Sequence, residues 1–242
     1  MWQALREELH PRGLEIVTVG IDAAGAEACR PFIEAAQPTH PSLVDRLHVV
    51  AESFGVFNIP NGVWIDEQGV IVRPAEQAQP REELGEVRFQ PIEGLPDRMN
   101  DILAEARNIK VDTRYVAMLR DWVDNGSASR YALDPEEVVA RSAPRDSTVA
   151  EGQAHFALGA YLWEQGERAG AEDHWRAAHR LVPDNFSYKR QAWSLAADEM
   201  GQLSRYWQGP VPGKESQWPY DSDWLTEVRA KGAENYYPPI DL

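Results

Sequence analysis

The sequence has a single cysteine, Cys29, among its 242 residues. One thiol excludes an intramolecular disulfide and any metal cluster built on several thiolates. No run of about 18 apolar residues is present, so no membrane insertion is expected. Basic residues number 24 against 39 acidic ones, which gives a net charge of −15. Because phosphate binding needs a basic face, this charge argues against nucleic acid or an anionic membrane surface as a partner.

Several motifs of cofactor chemistry are also missing. No Gly-x-Gly-x-x-Gly or Walker loop occurs, and His174 and His179 are five residues apart, which puts them on different faces of a helix. We therefore expect no cofactor and no metal site. The first ten residues, MWQALREELH, lack an apolar signal region, so the chain as given is expected to be cytoplasmic. An extracytoplasmic location is expected instead if the natural chain carries an upstream signal or anchor.

What is present is typical of a globular protein, with 43% hydrophobic residues and nine tryptophans. Residues 1–74 alternate between apolar patterns of helical and strand period. The patterns predict helices near residues 2–9, 25–36 and 46–54, a strand buried on both faces over 14–21, a short strand over 42–45, and a hairpin of 62–66 with 70–73 around Gly69. Such alternation predicts an α/β layer.

Two segments, LREELHPRGLEIVTVGID at 5–22 and GVFNIPNGVWIDEQGVIV at 55–72, resemble thioredoxin-type redoxins of the TlpA/ResA branch. In that family a strand and a Cys-x-x-Cys turn come before the first of these segments, and here both would precede Met1. The resemblance implies a truncated thioredoxin-like fold and a thiol-disulfide redoxin homologue whose dithiol is absent from this chain. Whether the chain is an enzyme is thus uncertain, and as given it is expected to be inactive.

The resemblance also identifies a substrate groove at Asn58, Ile59, Pro60 and Asn61, with Pro60 in the cis state. In such a groove, backbone groups next to the cis proline pair with an extended peptide. The alternative is a tight turn that needs proline for its shape alone.

Cys29 is the weak candidate for a catalytic residue, and two interpretations compete. A helix over 25–36 places Cys29 on an apolar stripe as a buried, inert thiol. A helix that begins at Pro31 instead places Cys29 just outside a helix N-terminus, where the dipole favours thiolate. Asp22 and Asp45 each end a predicted strand, so they either act as proton shuttles or cap the next helix.

The composition changes after residue 74. Residues 74–96 are rich in Pro, Glu and Gln and indicate a linker, although Glu86–Ile92 could form an extra edge strand. Beyond them the apolar period is helical, with helices predicted over 99–109, 112–124, 135–141 and 186–200. The sequence therefore predicts two domains, a thioredoxin-like domain over 1–95 and an all-helical domain over 96–242.

Residues 152–185 resemble one tetratricopeptide (TPR) unit, through the residues Leu158, Gly159, Gly166, Ala171, Trp175, Ala178 and Pro183. Small residues at 159 and 171 allow two helices to approach closely, and Trp175 fills the space between them. A single unit cannot bury its own face, so the helices before and after it are expected to complete the stack. The resemblance implies a recognition surface that includes His155, Tyr161 and Trp163. The aromatic tail from Tyr206 is expected to wrap over the helices.

The missing strand would leave backbone groups unpaired beside residues 15–21. Three arrangements resolve this problem: the sequence is a fragment, Glu86–Ile92 fills the gap, or a second copy pairs there to form a homodimer. The second functional hypothesis follows from the same features. In it the chain is a non-catalytic protein-interaction module, and its partner is a protein or peptide that binds the thioredoxin-like groove and the TPR-like helices.

Overall fold

The computed structural model describes residues 1–82, 93–142 and 145–240. Its contacts form two compact units that are not continuous in sequence, unlike the division at residue 95 expected from composition. Unit 1 consists of Met1–Leu84, Asp112–Pro144 and Pro239–Leu242, and unit 2 of Gly85–Val111 and Arg145–Pro238. The proposed edge strand Glu86–Ile92 lies outside the described residues.

Unit 1 combines short helices with two small sheets. Its helices are α1 (Trp2–Leu9), α2 (Ala26–Ala36), α3 (Val49–Phe54), α5 (Tyr115–Asn125) and α6 (Pro135–Arg141), and its strands are β1 (Thr18–Ile21), β2 (Ser42–Asp45), β3 (Asn61–Ile65) and β4 (Ile71–Gln77). Short 3-10 turns follow α1 and α5 at His10–Arg12 and Gly126–Ala128. The predicted helix over 25–36, the strand over 42–45 and the 135–141 helix are confirmed.

The two sheets differ in the direction of their strands. β1 and β2 run parallel, with Thr18 opposite Ser42 and Ile21 opposite Asp45. β3 and β4 run antiparallel and form the predicted hairpin, whose turn has Gly69 at a φ of 80°. In the part of the chain that the structure describes, each sheet is only two strands wide.

The strand predicted over 14–21 is shorter than expected and is not buried on both faces. β1 begins at Thr18, its four residues are half-buried, and Val17 is exposed. The preceding residues follow α1 instead, because Leu14 N–H donates to the Leu9 carbonyl at 3.3 Å and Arg6 pairs with Glu15 at 2.7 Å. These local contacts compete with strand pairing and delay the start of β1.

Aromatic residues build the core of unit 1. Trp64 of β3 donates its indole N–H to the Tyr115 hydroxyl at 3.0 Å and stacks on Trp122 with ring centroids 5.0 Å apart. A Cβ on Gly62 would overlap that hydroxyl, so only glycine fits this position in β3. The remaining core residues come from α1, α5, the segments that follow these two helices and the C-terminal end, among them Leu5, Leu9, Ile16, Val116, Met118, Leu119, Tyr131 and Ile240.

Unit 2 is helical throughout its described part. It contains α4 (Asp97–Asn108), α7 (Ser147–Glu164), α8 (Arg168–Leu181), α9 (Phe186–Met200), α10 (Gln202–Trp207) and α11 (Trp224–Lys231), with 3-10 turns at Glu215–Gln217 and Ala233–Asn235. The predicted helices over 99–109 and 186–200 are confirmed. α9 starts where the Asn185 side chain caps it by accepting from Tyr188 N–H at 3.0 Å.

The α7–α8 hairpin packs as the small residues predict. Trp175 is fully buried and Gly159 lies against it, since a Cβ on Gly159 would come within 2.6 Å of the indole. The same indole donates its N–H to the Phe156 carbonyl at 3.2 Å. α8 ends at Leu181, two residues before Pro183. α9 then packs on α8 and contributes Ala192 to the same core.

The helices at 112–124 and 135–141 do not complete this stack, and that expectation is wrong. α5 and α6 belong to unit 1, where Leu133 N–H donates to the Val72 carbonyl of β4 at 2.8 Å. The aromatic positions Tyr115 and Trp122 of α5 fit the tryptophan of β3, and a helical period alone does not distinguish between these two partners.

The expectation that the aromatic tail packs on the helices is confirmed for unit 2. Trp207 is buried, and Trp218 and Trp224 are partly buried against the helical cores. Arg98 of α4 pairs with Asp223 at 2.8 Å and lies 5.9 Å from the centroid of the Trp207 ring, so a half-buried cation helps to fix the tail.

Candidate functional site

The turn at Asn58–Asn61 connects α3 to β3 in unit 1. The Ile59–Pro60 peptide bond is cis, as expected from the sequence. The Asn58 side chain accepts from Ile59 N–H at 2.9 Å, and the Pro60 carbonyl accepts from Ala78 N–H at 3.3 Å. These bonds place the four predicted groove residues side by side, with Ile59 exposed.

Cys29 is buried within α2, which is the placement that the first interpretation expects. The helix begins at Ala26 and runs through Pro31, so Cys29 does not lie outside a helix N-terminus and the alternative is wrong. Burial raises the pKa of the Cys29 thiol, and the nearby Asp22 carboxylate raises it further. A thiol with a raised pKa forms little thiolate, which is the reactive form.

Asp45 caps the next helix, as the second interpretation states, whereas no side chain caps α2 after Asp22. The Asp45 carboxylate accepts from the backbone N–H groups of residues 49–51 at 2.8–3.1 Å, which are the first three residues of α3. Asp22 accepts from Ala24 N–H at 2.9 Å in the turn before α2. The first backbone donors of α3 therefore have a carboxylate partner, whereas the Asp22 carboxylate stabilises the turn before α2.

In the described residues, the parallel sheet has one exposed face, and β1 has no strand on the side away from β2. Val19 is opposite Leu43, so these two side chains and that of Val17 point to the same face. Val17 is 52% exposed and Leu43 is 53% exposed. α2 covers the other face, where Cys29 Sγ would lie 3.0 Å from a Cβ on Gly20. Sequence patterning missed this surface because it predicted a strand buried on both faces.

The three residues of the predicted recognition surface on α7 have different surroundings. Tyr161 is exposed, whereas Trp163 packs on Trp175 with ring centroids 5.3 Å apart and carries Arg168 over its ring. His155 is half-buried and faces α8. At about 100° per residue, Tyr161 lies on the side of α7 away from both His155 and Trp163.

His155 has a partner that the sequence analysis missed. Its Nδ1 lies 2.8 Å from Nδ1 of His174, which is also half-buried, and the ring centroids are 4.9 Å apart. The signal was the antiparallel register of the hairpin, because Gly159 packs near Ala171 and Trp175, and a residue one turn earlier on α7 then lies beside the second turn of α8. Among the described residues, no group of three or more His, Cys, Asp or Glu side chains converges as a metal site would require.

His179 is the most strongly perturbed histidine. Burial lowers the pKa of its imidazole to about 3, and the positive charge of Lys189 lowers it further, against a hydrogen bond to the Tyr188 backbone. Lys189 is itself buried and pairs with Glu227 at 2.8 Å. His179 also packs on the Tyr220 ring, with centroids 5.3 Å apart. The neutral imidazole is therefore part of the core of unit 2.

We expect unit 2 to lose stability as the pH falls from about 6.5. Below that pH the His179 imidazole binds a proton in the unfolded state but stays neutral in the folded state. The contribution is about 1.4 kcal/mol per pH unit once the unfolded imidazole is protonated. Urea unfolding between pH 7 and 5.5 measures this slope. His179→Gln should flatten the slope and His10→Gln, at an exposed position, should not. Equal slopes in both variants would contradict the assignment.

No protein-family model, curated protein or solved structure matches the chain. Within the described ranges, none of the helices combines the length and the apolar character that crossing a membrane requires. The candidate sites therefore rest on geometry alone.

Proposed function

We propose that the chain is a non-catalytic protein-interaction module, and that unit 1 binds an extended polypeptide segment along the open edge of β1. The observation that carries this proposal is the two-stranded parallel sheet. In the described residues, β1 pairs with β2 on one side and with no strand on the other. An open strand edge is a template for pairing with another chain.

Backbone direction gives this edge its hydrogen-bonding groups. Thr18 N–H donates to the Pro41 carbonyl at 3.0 Å, on the side of β2. Because successive strand residues direct their backbone groups to opposite edges, the N–H groups of Val19 and Ile21 are directed away from β2. A peptide that lies along β1 would use these two donors.

The apolar face beside this edge supports the same occupant. Parallel sheets are normally covered on both faces. Here Val17 and Leu43 are more than half exposed on the face opposite α2. An extended segment presents side chains alternately, so every second residue of a peptide on β1 would cover this face. Leu158 and Tyr161 form a second exposed apolar pair, one turn apart on α7, and we propose it as the surface through which unit 2 contacts a protein partner.

A redoxin role is the second candidate, and the same open edge supports it. The resemblance to TlpA/ResA-type redoxins implies a further strand next to β1 and a dithiol directly after that strand. In the redoxin role, the segment that supplies this further strand would bring the reactive thiols to the Asn58–Asn61 turn. The chain alone offers the buried Cys29, and we expect it not to reduce insulin disulfides. Ordinary thioredoxin turnover by the chain alone would contradict both candidates.

The test uses a phage-displayed library of random dodecapeptides, panned on the purified chain. Selected peptides should slow amide hydrogen exchange at Val19 and Ile21, the donors on the open edge. In the double variant Val17→Asp/Leu43→Asp, peptide binding should weaken by at least about tenfold, since the apolar face carries charges that must be desolvated on binding.

Val139→Asp is the matched control, because Val139 is 72% exposed on α6 and lies outside this surface. It should bind the peptides like the original chain. Peptides that protect other amides, or that bind both variants equally, would overturn the proposal. A homodimer that dissociates in Val17→Asp/Leu43→Asp would overturn the choice of a foreign peptide and identify a second copy as the occupant.

A further inference from the structure

Two histidines converge on the α7–α8 hairpin of unit 2, on the side of α7 away from Tyr161. The Nδ1 atoms of His155 and His174 are 2.8 Å apart, and the ring planes differ by 38°. His155 on α7 and His174 on α8 are 19 positions apart in sequence, so the packing of the two helices creates the pair. Both side chains are half-buried, which leaves the pair accessible to small solutes.

The hairpin holds the two rings in place. The residue directly after each histidine takes part in the contact between the helices. The indole N–H of Trp175, which follows His174, donates to the carbonyl of Phe156, which follows His155, at 3.2 Å. Trp175 is fully buried against Gly159, so the two helices cannot slide without opening the core. A ligand pair fixed by rigid elements binds with little loss of conformational freedom.

The surroundings of the pair suit a cation. The helix positions three and four residues away from the two histidines contain no Lys or Arg and are mostly small: Glu151, Gly152, Leu158, Gly159, Gly170, Ala171, Ala177 and Ala178. The one charged residue in this set is Glu151, an acid. The net charge of −15 also favours the approach of cations over anions.

We propose that His155 and His174 form a two-histidine site for a divalent transition-metal ion of the nickel, copper and zinc group. Two imidazole nitrogens at about 2.0–2.1 Å from one ion, with bond angles of about 90–110°, lie about 2.8–3.4 Å apart. The observed spacing of 2.8 Å is close to the lower end of that range. Imidazole suits these ions, and Cu²⁺ is the one that such ligands bind most tightly.

Binding needs no redox step. When the ion is bound, each neutral imidazole carries its proton on Nε2 and offers the Nδ1 lone pair to the ion. In the free protein, one Nδ1–H donates to the other Nδ1, and a change of tautomer releases that nitrogen for the metal. Because no third His, Cys, Asp or Glu converges here among the described residues, water fills the remaining coordination positions.

The experiment titrates Cu²⁺ into tag-free protein by isothermal titration calorimetry, with glycine as a competing ligand, and records the electron paramagnetic resonance spectrum of the complex. We expect one equivalent to bind and the spectrum to show two nitrogen donors from imidazole. Either single variant, His155→Asn or His174→Asn, should weaken binding by at least about tenfold, since the chelate is lost. His10→Asn, at an exposed position on unit 1, should bind Cu²⁺ like the original chain.

Circular dichroism shows whether each variant is folded, and His155→Gln replaces His155→Asn if the latter is not. Unchanged affinity in the double variant His155→Asn/His174→Asn would overturn the proposal, because the copper would then bind elsewhere. Absence of binding in the folded original chain would also overturn it and leave the pair as a hydrogen bond only. Neither result bears on peptide binding at β1, so the two proposals are tested separately.

Discussion

Replacing Trp175 with alanine is expected to lower the free energy of unfolding of unit 2 by about 3–5 kcal/mol. The indole is fully buried between α7 and α8, contacts Gly159 and donates to the Phe156 carbonyl. Its removal leaves a cavity in the hairpin and takes one of the donors from the Phe156 carbonyl. Urea unfolding followed by circular dichroism at 222 nm measures the loss. Trp163→Ala, at a partly buried position on the same core, is the control and should cost clearly less.

A substitution at Gly159, which lies against Trp175, tests the same packing. Gly159→Ala adds a methyl group within 2.6 Å of the indole and should cost about 1–3 kcal/mol by overpacking. In the Trp175→Ala background that methyl group has room, so its cost should disappear. Additive effects of the two substitutions would show that the indole does not fill the space between the helices.

Replacing Arg73 with methionine is expected to lower the free energy of unfolding of unit 1 by about 3–5 kcal/mol, because a buried ion pair loses one partner. The Arg73 guanidinium is almost fully buried, pairs with Glu76, donates to the Tyr131 carbonyl at 2.9 Å and lies 5.6 Å from the centroid of the Trp64 ring. The substitution keeps the volume and removes the charge. The midpoint of urea unfolding, followed by tryptophan fluorescence, reports the effect.

The double variant Arg73→Met/Glu76→Leu should recover most of that loss, since an apolar pair often replaces a buried ion pair without cost. Burial raises the pKa of the Glu76 carboxyl even beside Arg73. An acid whose folded pKa is raised is stabilised in the folded state by protonation, so the deficit of Arg73→Met should shrink as the pH falls from 7 towards 5. If the double variant is as unstable as the single one, the carboxylate is not the source of the cost.

Local sequence signals located most elements because the interactions that fix them are local. Asp134-Pro135-Glu136-Glu137 predicted the start of α6, where Asp134 and Glu137 form a reciprocal capping box. The Asp-Glu-Gln-Gly turn predicted the β3–β4 hairpin for the same reason. The start of β1 was predicted too early, because it depends on contacts of residues 14–17 with α1 and a strand pattern holds no information on those contacts.

The candidate sites were less predictable, since they depend on which elements meet. The sequence named His155 as a surface residue and placed His174 only by its spacing from His179, and the pair exists because α7 and α8 run antiparallel. The apolar stripe of α2 predicted the burial of Cys29. That prediction needed no tertiary information except that α2 covers a sheet. The open face with Val17 and Leu43 is a property of how few strands pair in the described sheet.

The sequence by itself determined the charge, the single thiol, the helix caps, the hairpin turn and the small residues that allow α7 and α8 to approach, because each depends on composition or on residues a few positions apart. Only the tertiary structure decided that α5 and α6 pack with β3 and β4, that His155 meets His174, and that β1 pairs with β2 alone among the described strands. These features depend on contacts between residues far apart in sequence, where many pairings satisfy the same apolar pattern and shape complementarity selects among them.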